Sequence, residues 1–98
     1  MARQVLVRYK VKADRVEEHE ALIRDVFAEL TRTSPVGIRY GAFKLADGLS
    51  FVHVAFVSVE ENPLNAINAF KVFGERIKER CEEPPNVSEL TTVGAFGL

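Results

Sequence analysis

The chain has 98 residues, with 13 Lys and Arg against 14 Asp and Glu and a formal net charge of −1. This length predicts one domain over residues 1–98, and 47% hydrophobic residues suffice for a core without disulfides. The balanced charge argues against a general nucleic-acid or membrane-surface binder. A single cysteine, Cys81, forms neither an internal disulfide nor a zinc site. Because the first residues contain no apolar secretory segment, the sequence predicts a soluble, cytoplasmic protein.

A strand and a helix are predicted at the start of the chain. Residues 3–12 alternate in polarity, so one face of this strand carries Val5, Val7, Tyr9 and Val11 and the other carries Leu6, Arg8 and Lys10. The helix is predicted over 14–32, from a capping-box-like start at Asp14 to the residues before Pro35. His19 lies among acidic residues on the polar flank of this helix and is predicted to be a solvated surface residue.

A hairpin is predicted next. Residues 37–46 form a weaker strand with two internal glycines, which is typical of a sheet edge or a bulge. Asp47-Gly48 predicts a two-residue type I′ turn. The following strand, over 51–59, reads F-V-H-V-A-F-V-S-V and is apolar on both faces, so both faces must be covered.

The hairpin register decides which side chains share a face. A two-residue loop pairs His53 with Ala42. Val52, Val54 and Phe56 are then expected beneath the helices, and His53 and Tyr40 on the opposite face, together with Leu6, Arg8 and Lys10. The register also places Arg39 opposite Phe56, on the expected helix side, which requires an edge position or a bulge.

The last third of the chain predicts a helix and a strand. Asn62 and Pro63 provide an N-cap and a first helical residue. The apolar face of this helix carries Ile67, Phe70, Phe73, Ile77 and Cys81, and the helix ends at 82–83. Cys81 is predicted to be a small buried hydrophobe in the last turn rather than a nucleophile. Residues 87–96 are predicted to form the final strand.

The order β-α-β-β-α-β predicts an α+β, ferredoxin-like fold. Its antiparallel four-stranded sheet has the order 4-1-3-2 and carries both helices on one face. The other face is bare over roughly 400–500 Å², a size that monomers use for binding. We therefore expect a homodimer in which two sheets close a shared α/β barrel.

The element order, the pattern G-x-x-F-V-H-V-A over 48–55 and N-P-L over 62–64 resemble the dimeric α/β-barrel superfamily. That superfamily includes the antibiotic-biosynthesis-monooxygenase-like domains and the stress-responsive barrel domains. The resemblance covers nearly the whole chain and implies the fold, the homodimer and, for some members, cofactor-free monooxygenation or haem degradation. Haem-degrading members use an Asn, Trp and His set, and this chain has no Trp. We therefore expect neither a cofactor nor a metal.

His53 is the candidate for acid–base catalysis, because imidazole titrates near neutrality, and a nearby Arg8 is expected to lower its pKa. The alternative is a structural histidine bonded across the dimer. Tyr40 is the second candidate, either as a donor to a substrate carbonyl or enolate or as a packing residue. Arg8 is predicted to bind a ligand carboxylate or to pair at the dimer seam. Phe51 is a predicted ligand contact. Together with Phe96 it is bulky enough to fill much of the lumen, which is the space between the two sheets of the expected barrel.

RNA-recognition domains share this element order, and D-G-L-S-F-V-H-V over 47–54 matches part of their aromatic signature. However, Asp47 stands where a basic residue is expected, and Leu49 and Val54 stand where stacking aromatics are expected. The sequence therefore predicts no nucleic-acid partner.

Three functions remain open. The protein is a cofactor-free monooxygenase-like enzyme acting on a small aromatic or polyketide-like molecule, a non-catalytic binder of a small ligand, or a purely structural homodimer. The volume of the lumen separates them, since a ligand site needs on the order of 300 Å³ or more.

Overall fold

The computed structural model describes residues 2–98 as one sheet with a layer of helices on one face. The elements are β1 (Arg3–Val11), α1 (Val16–Thr33), β2 (Ile38–Lys44), β3 (Ser50–Val57), α2 (Asn68–Gly74), α3 (Ile77–Arg80) and β4 (Cys81–Glu89). All the strand pairs are antiparallel, in the order β2-β3-β1-β4. The predicted ferredoxin-like α+β fold and its strand order are confirmed.

The β2–β3 hairpin has the predicted register, with Ala42 opposite His53. The predicted type I′ turn is wrong. Such a turn needs positive φ at both central residues, but only Gly48 has it, at 74°. The loop is instead longer: Leu45 pairs with Ser50, and the Asp47 carboxylate accepts the N–H groups of Leu49 and Ser50 at 2.9 and 2.8 Å. The predicted two-residue loop and the observed longer loop are both centred between Asp47 and Gly48, so both give the same pairing of β2 with β3.

The predicted assignment of the faces of β2 and β3 is wrong. In β3 the buried face beneath the helices carries Phe51, His53, Ala55 and Val57, and the open face carries Val52, Val54 and Phe56. Both faces of β3 are apolar, so hydrophobicity alone does not distinguish them. Polar His53 is tolerated on the core side because its ring nitrogens are hydrogen-bonded there. Arg39 pairs with Phe56 on the open face and is exposed, so the expected conflict at this residue does not arise.

The faces of β1 follow from its pairing with β3. Tyr9 lies opposite Phe51 and Val7 opposite His53, so these residues share the helix-covered face. Arg8 pairs with Val52 and is exposed on the open face. The prediction that Arg8 lies beside His53 is therefore wrong, since the sheet separates them.

The helix starts differ in how well the sequence predicted them. α1 follows a short 3-10 turn, Ala13–Arg15, and no side chain caps it, so the capping box expected at Asp14 is wrong. Asn62 caps as predicted: its side-chain oxygen accepts the N–H of Leu64 at 2.9 Å, and Pro63 opens a 3-10 turn. The start of α2 is capped from α1, because the Glu29 carboxylate accepts the N–H groups of Asn68 and Ala69 at 3.0 and 2.8 Å.

The long second helix predicted up to residues 82–83 is wrong. α2 ends at Gly74, and Arg76 adopts a positive φ of 58° before the single turn of α3. The Arg80 guanidinium binds the carbonyl oxygens of Phe73 at 2.5 Å and Glu75 at 3.1 Å. These are carbonyls that a continuing helix would have satisfied, so Arg80 acts as a side-chain cap for α2.

The last strand also differs from the prediction over 87–96. β4 begins at Cys81, which is buried as expected but lies in a strand rather than a helix. Pro84 and Pro85 fit within it because β4 is an edge strand and because its pairing with β1 is irregular between Glu83 and Asn86, so neither proline interrupts a regular ladder. Phe96 lies beyond the strand and is fully exposed on the single chain.

Candidate functional site

The candidate site is a cavity of about 170 Å³ between the sheet and the helices. Its wall is mostly hydrocarbon, and its central polar groups are the hydroxyl of half-buried Tyr40 and the imidazole of buried His53. The other lining residues are Val5, Val7, Tyr9, Ala55, Asn62, Leu64, Phe70, Phe73, Ile77 and Pro85. The space beside His53 is therefore open and lies within the single chain, not between two sheets.

A continuous chain of hydrogen bonds leads from this cavity into the core. The Tyr40 hydroxyl lies 2.5 Å from Nδ1 of His53, and the Tyr9 hydroxyl lies 2.6 Å from its Nε2. The same Tyr9 hydroxyl lies 2.6 Å from Nε2 of His19, and Nε of Arg80 donates to Nδ1 of His19 at 3.1 Å. We call these five residues the Arg80–Tyr40 chain.

Packing holds the rings of the Arg80–Tyr40 chain in place. Phe51 stacks on Tyr9 with ring centroids 5.7 Å apart and meets the edge of His19 at 5.0 Å. Phe73 packs against His53 at 5.5 Å, and the guanidinium of Arg80 lies 5.6 Å from its ring. Close packing of this kind leaves few alternative rotamers, so the hydrogen-bond partners are fixed.

Burial determines the charge state of the Arg80–Tyr40 chain. It lowers the pKa of His53 from 6.5 to about 4. Burial, together with the positive charge of Arg80, lowers the pKa of His19 to about 4. Burial also raises the pKa values of Tyr9 and Tyr40. At neutral pH both imidazoles and both phenols are therefore uncharged, and Arg80 carries the only charge.

Two of the four predicted site residues meet at this cavity. His53 and Tyr40 are hydrogen-bonded to each other, and both ring nitrogens of His53 have partners in the same chain. Phe51 is 2% exposed and packs in the core behind Tyr9 instead of lining the cavity. Arg8 lies on the opposite face of the sheet. The roles of these four residues in binding or catalysis stay predictions.

Three members of the Arg80–Tyr40 chain were not among the residues selected from the sequence. His19 is 0% exposed, so its prediction as a surface residue is wrong. It lies three residues after Val16 and four before Ile23, a spacing that places it on the apolar stripe of α1. Arg80 has a similar signal, since it follows Ile77 by three residues, although its 2% exposure is unusual for an arginine. Tyr9 was placed on its correct face without a role.

The described residues give no indication of a metal centre or a bilayer span. Within 2–98, no group of three or more His, Cys, Asp or Glu side chains is placed to hold a metal ion. None of the helices in this range has the length and apolarity that crossing a membrane requires.

Comparison with known proteins reveals similarity of structure without similarity of sequence. No protein-family model matches the chain, and no curated protein is similar to it in sequence. A solved structure of a candidate antibiotic biosynthesis monooxygenase from Bacteroides thetaiotaomicron superposes with a TM-score of 0.80 at 18% identity, covering 99% of this chain and 93% of that one. A second such protein, from Nitrosomonas europaea, gives 0.75 at 15% identity and covers 98% and 94%.

A third similar structure is a mutant of SnoaB, a cofactor-independent oxygenase from Streptomyces nogalater. Its TM-score is 0.71 at 15% identity, and the alignment covers 99% of this chain and 98% of that one. At these identities the likeness concerns the fold. The chain thus has the ferredoxin-like fold of the antibiotic-biosynthesis-monooxygenase-like proteins, as the resemblance in its sequence implied.

Proposed function

We propose that this protein is a cofactor-free, monooxygenase-like enzyme that binds a small aromatic or polyketide-like molecule in the cavity beside Tyr40 and His53. The observation that carries the proposal is the composition of that cavity. A largely hydrocarbon wall encloses a phenol hydroxyl and a neutral imidazole that are joined by a 2.5 Å hydrogen bond. Apolar pockets with few convergent polar groups are the usual form of a small-molecule site.

In the proposed reaction the substrate itself supplies the electrons. An activated CH₂ group flanked by aromatic rings or a carbonyl reacts with dioxygen and becomes a C=O group. One oxygen atom enters the product, and the other leaves as water with the two hydrogens. The substrate binds as the enolate that it forms by losing a proton to bulk water, and the Tyr40 hydroxyl holds the enolate oxygen while the apolar wall excludes further water. A proton returns when the second oxygen atom leaves as water.

The cavity volume limits the substrate. About 170 Å³ is below the ~300 Å³ expected of a ligand site, which favours the structural homodimer, so the proposed enzyme must act on a molecule of one or two rings rather than on a larger polyketide. A second candidate function, non-catalytic binding of a similar ligand, is favoured by one observation. Both ring nitrogens of His53 already have partners, so no free base faces the cavity.

The experiment is a screen of one- and two-ring phenols and ketones by calorimetry, followed by dissolved-oxygen measurements on the binders. We expect Tyr40→Phe to weaken binding about fivefold, because it removes one hydrogen bond worth roughly 1 kcal/mol. Arg39→Lys, on the opposite face of the same strand, is the matched control and should bind normally. Oxygen uptake with product formation supports the enzyme, binding without uptake supports the binder, and no binding contradicts both.

We also propose that the protein is a homodimer joined through the open face of the sheet. Leu6, Val52, Val54 and Phe56 are half-buried there and Phe43 is 59% exposed, so this apolar surface is only partly covered within the chain, where Gly97 and Leu98 lie beside it. Sedimentation at micromolar concentration should give about twice the 11.0 kDa chain mass. Val54→Lys should shift the protein towards the monomer, because it places a charge in the interface. Val72→Lys, on the surface of α2, is the control, and equal effects of both changes would contradict this interface.

A further inference from the structure

One end of the Arg80–Tyr40 chain is a group that only donates. The arginine side chain has N–H donors and no acceptor, so the lone pair of His19 Nδ1 must point at Nε of Arg80. A neutral His19 therefore carries its proton on Nε2. That Nε2–H then donates to the Tyr9 hydroxyl oxygen at 2.6 Å.

The direction of this first bond determines every bond after it. Within residues 2–98 the Tyr9 hydroxyl has hydrogen-bond partners only in His19 and His53, so its single proton has an acceptor only if it donates to Nε2 of His53, at 2.6 Å. His53 then carries its proton on Nδ1 and donates to the Tyr40 oxygen at 2.5 Å. Reversal of the whole chain would require both nitrogens of His19 to accept, which is possible only for an imidazolate anion. Donation to Tyr9 by both imidazoles would leave the buried Tyr9 proton without an acceptor.

Arg80 is held firmly enough to impose this direction. Its two terminal nitrogens bind the backbone carbonyls of Phe73 and Glu75, and its guanidinium packs near the Phe73 ring. The side chain is 2% exposed. Rotating Nε away from His19 would break these contacts and leave buried donors without partners.

We propose that Arg80 acts as a positioning residue that sets the direction of every hydrogen bond in the Arg80–Tyr40 chain. This direction leaves the Tyr40 proton free to donate into the cavity. The cavity then selects ligands that present an acceptor oxygen, such as a carbonyl, an enolate or a phenolate, over ligands that present only an N–H donor. This ligand preference rests on the proposed function, because it requires the cavity to bind a small molecule. The direction of the hydrogen bonds in the Arg80–Tyr40 chain does not rest on the proposed function.

The direction is tested by nitrogen NMR of the free wild-type protein at neutral pH. The two- and three-bond couplings of each imidazole distinguish the two neutral tautomers. We expect the Nδ1–H form for His53 and the Nε2–H form for His19. An Nε2–H form of His53 would overturn the proposal.

The ligand preference is tested with three bicyclic probes of similar size: 1-indanone has only an acceptor oxygen, indole has only an N–H donor, and indane has neither. The wild type should bind 1-indanone about fivefold more tightly than indane, as expected for one net hydrogen bond, and should bind indole no better than indane. Tyr40→Phe should remove the advantage of 1-indanone. An advantage of indole equal to or larger than that of 1-indanone would overturn the preference.

Variants of Arg80 separate positioning from simple structural support. Arg80→Met should narrow the difference between 1-indanone and indole and change the tautomer of His53, and Arg80→Lys should restore part of both. Arg24→Met, at an exposed position on α1, is the control. The wild-type measurements decide the proposal even where Arg80→Met fails to fold. Failure of all three probes to bind would overturn the proposed function and the ligand preference with it, while the NMR spectra still decide the direction.

Discussion

Replacing Tyr9 with phenylalanine should lower the free energy of unfolding by about 2–6 kcal/mol. The Tyr9 hydroxyl bridges two buried imidazoles, so its loss leaves the Nε2–H of His19 and the Nε2 lone pair of His53 without partners. Each unsatisfied buried group costs roughly 1–3 kcal/mol. Urea unfolding of the wild type and the variant measures the difference.

Tyr40→Phe is the matched control for this prediction. It removes the same hydroxyl from the outer end of the chain, where one partner, Nδ1 of His53, is affected and the cavity can admit water. Its loss should therefore be smaller than that of Tyr9→Phe. Equal losses from both changes would show that the central position of Tyr9 in the chain has no energetic importance.

Acidification should destabilise the protein strongly between about pH 6.5 and pH 4.5. The pKa of both His19 and His53 is about 4 in the folded protein and 6.5 ordinarily, so the unfolded chain takes up protons first. The stabilisation is complete above pH 6.5 and is lost as the pH falls towards 4. Each histidine accounts for about 3 kcal/mol, and the steepest slope is about 2.7 kcal/mol per pH unit for two protons.

This pH window isolates the histidines from the carboxylates. The pKa values of Glu18, Glu20 and Glu29 are lowered by their hydrogen bonds to Arg15, Lys44 and the Ala69 N–H, so these groups titrate at lower pH. The chain contains 2 His, so proton NMR of the imidazole Cε1–H groups follows the whole titration directly. Neither signal should shift between pH 7.5 and pH 5.5 while the protein is folded. A transition near pH 6.5 in either signal would contradict the burial of both imidazoles in their neutral form.

Several parts of the site could be predicted because they depend on neighbours in the sequence. The pair Asp47-Gly48 fixed the register that places Ala42 opposite His53, even though the turn type was wrong. The spacing of apolar residues located α1, and Asn62 with Pro63 located the start of the second helical segment. His53 and Tyr40 were both selected, and the structure brings them within hydrogen-bond distance.

The rest of the site depends on contacts that no local pattern encodes. Arg80 meets His19 across 61 positions of sequence, and Tyr9 meets His53 across 44. A histidine among glutamates and an arginine near a helix end are typical surface residues, and only mutual hydrogen bonding makes their burial favourable. These partners could be recognised only once the sheet had brought them together.

The sequence by itself determined the order of the elements, the antiparallel sheet and the presence of two apolar faces on β3, because alternation and helical spacing are properties of neighbouring residues. The tertiary structure decided which face of β3 the helices cover and, with it, on which side of the sheet His53 lies. Two similarly apolar faces differ little in transfer free energy, so the choice between them depends on whether the polar side chains find partners. Tyr9 and Tyr40 share a face of the sheet with His53 in either case, but only on the helix side does Tyr9 also meet His19 of α1, whose hydrogen bond with Arg80 completes the network and stabilises that side as the core.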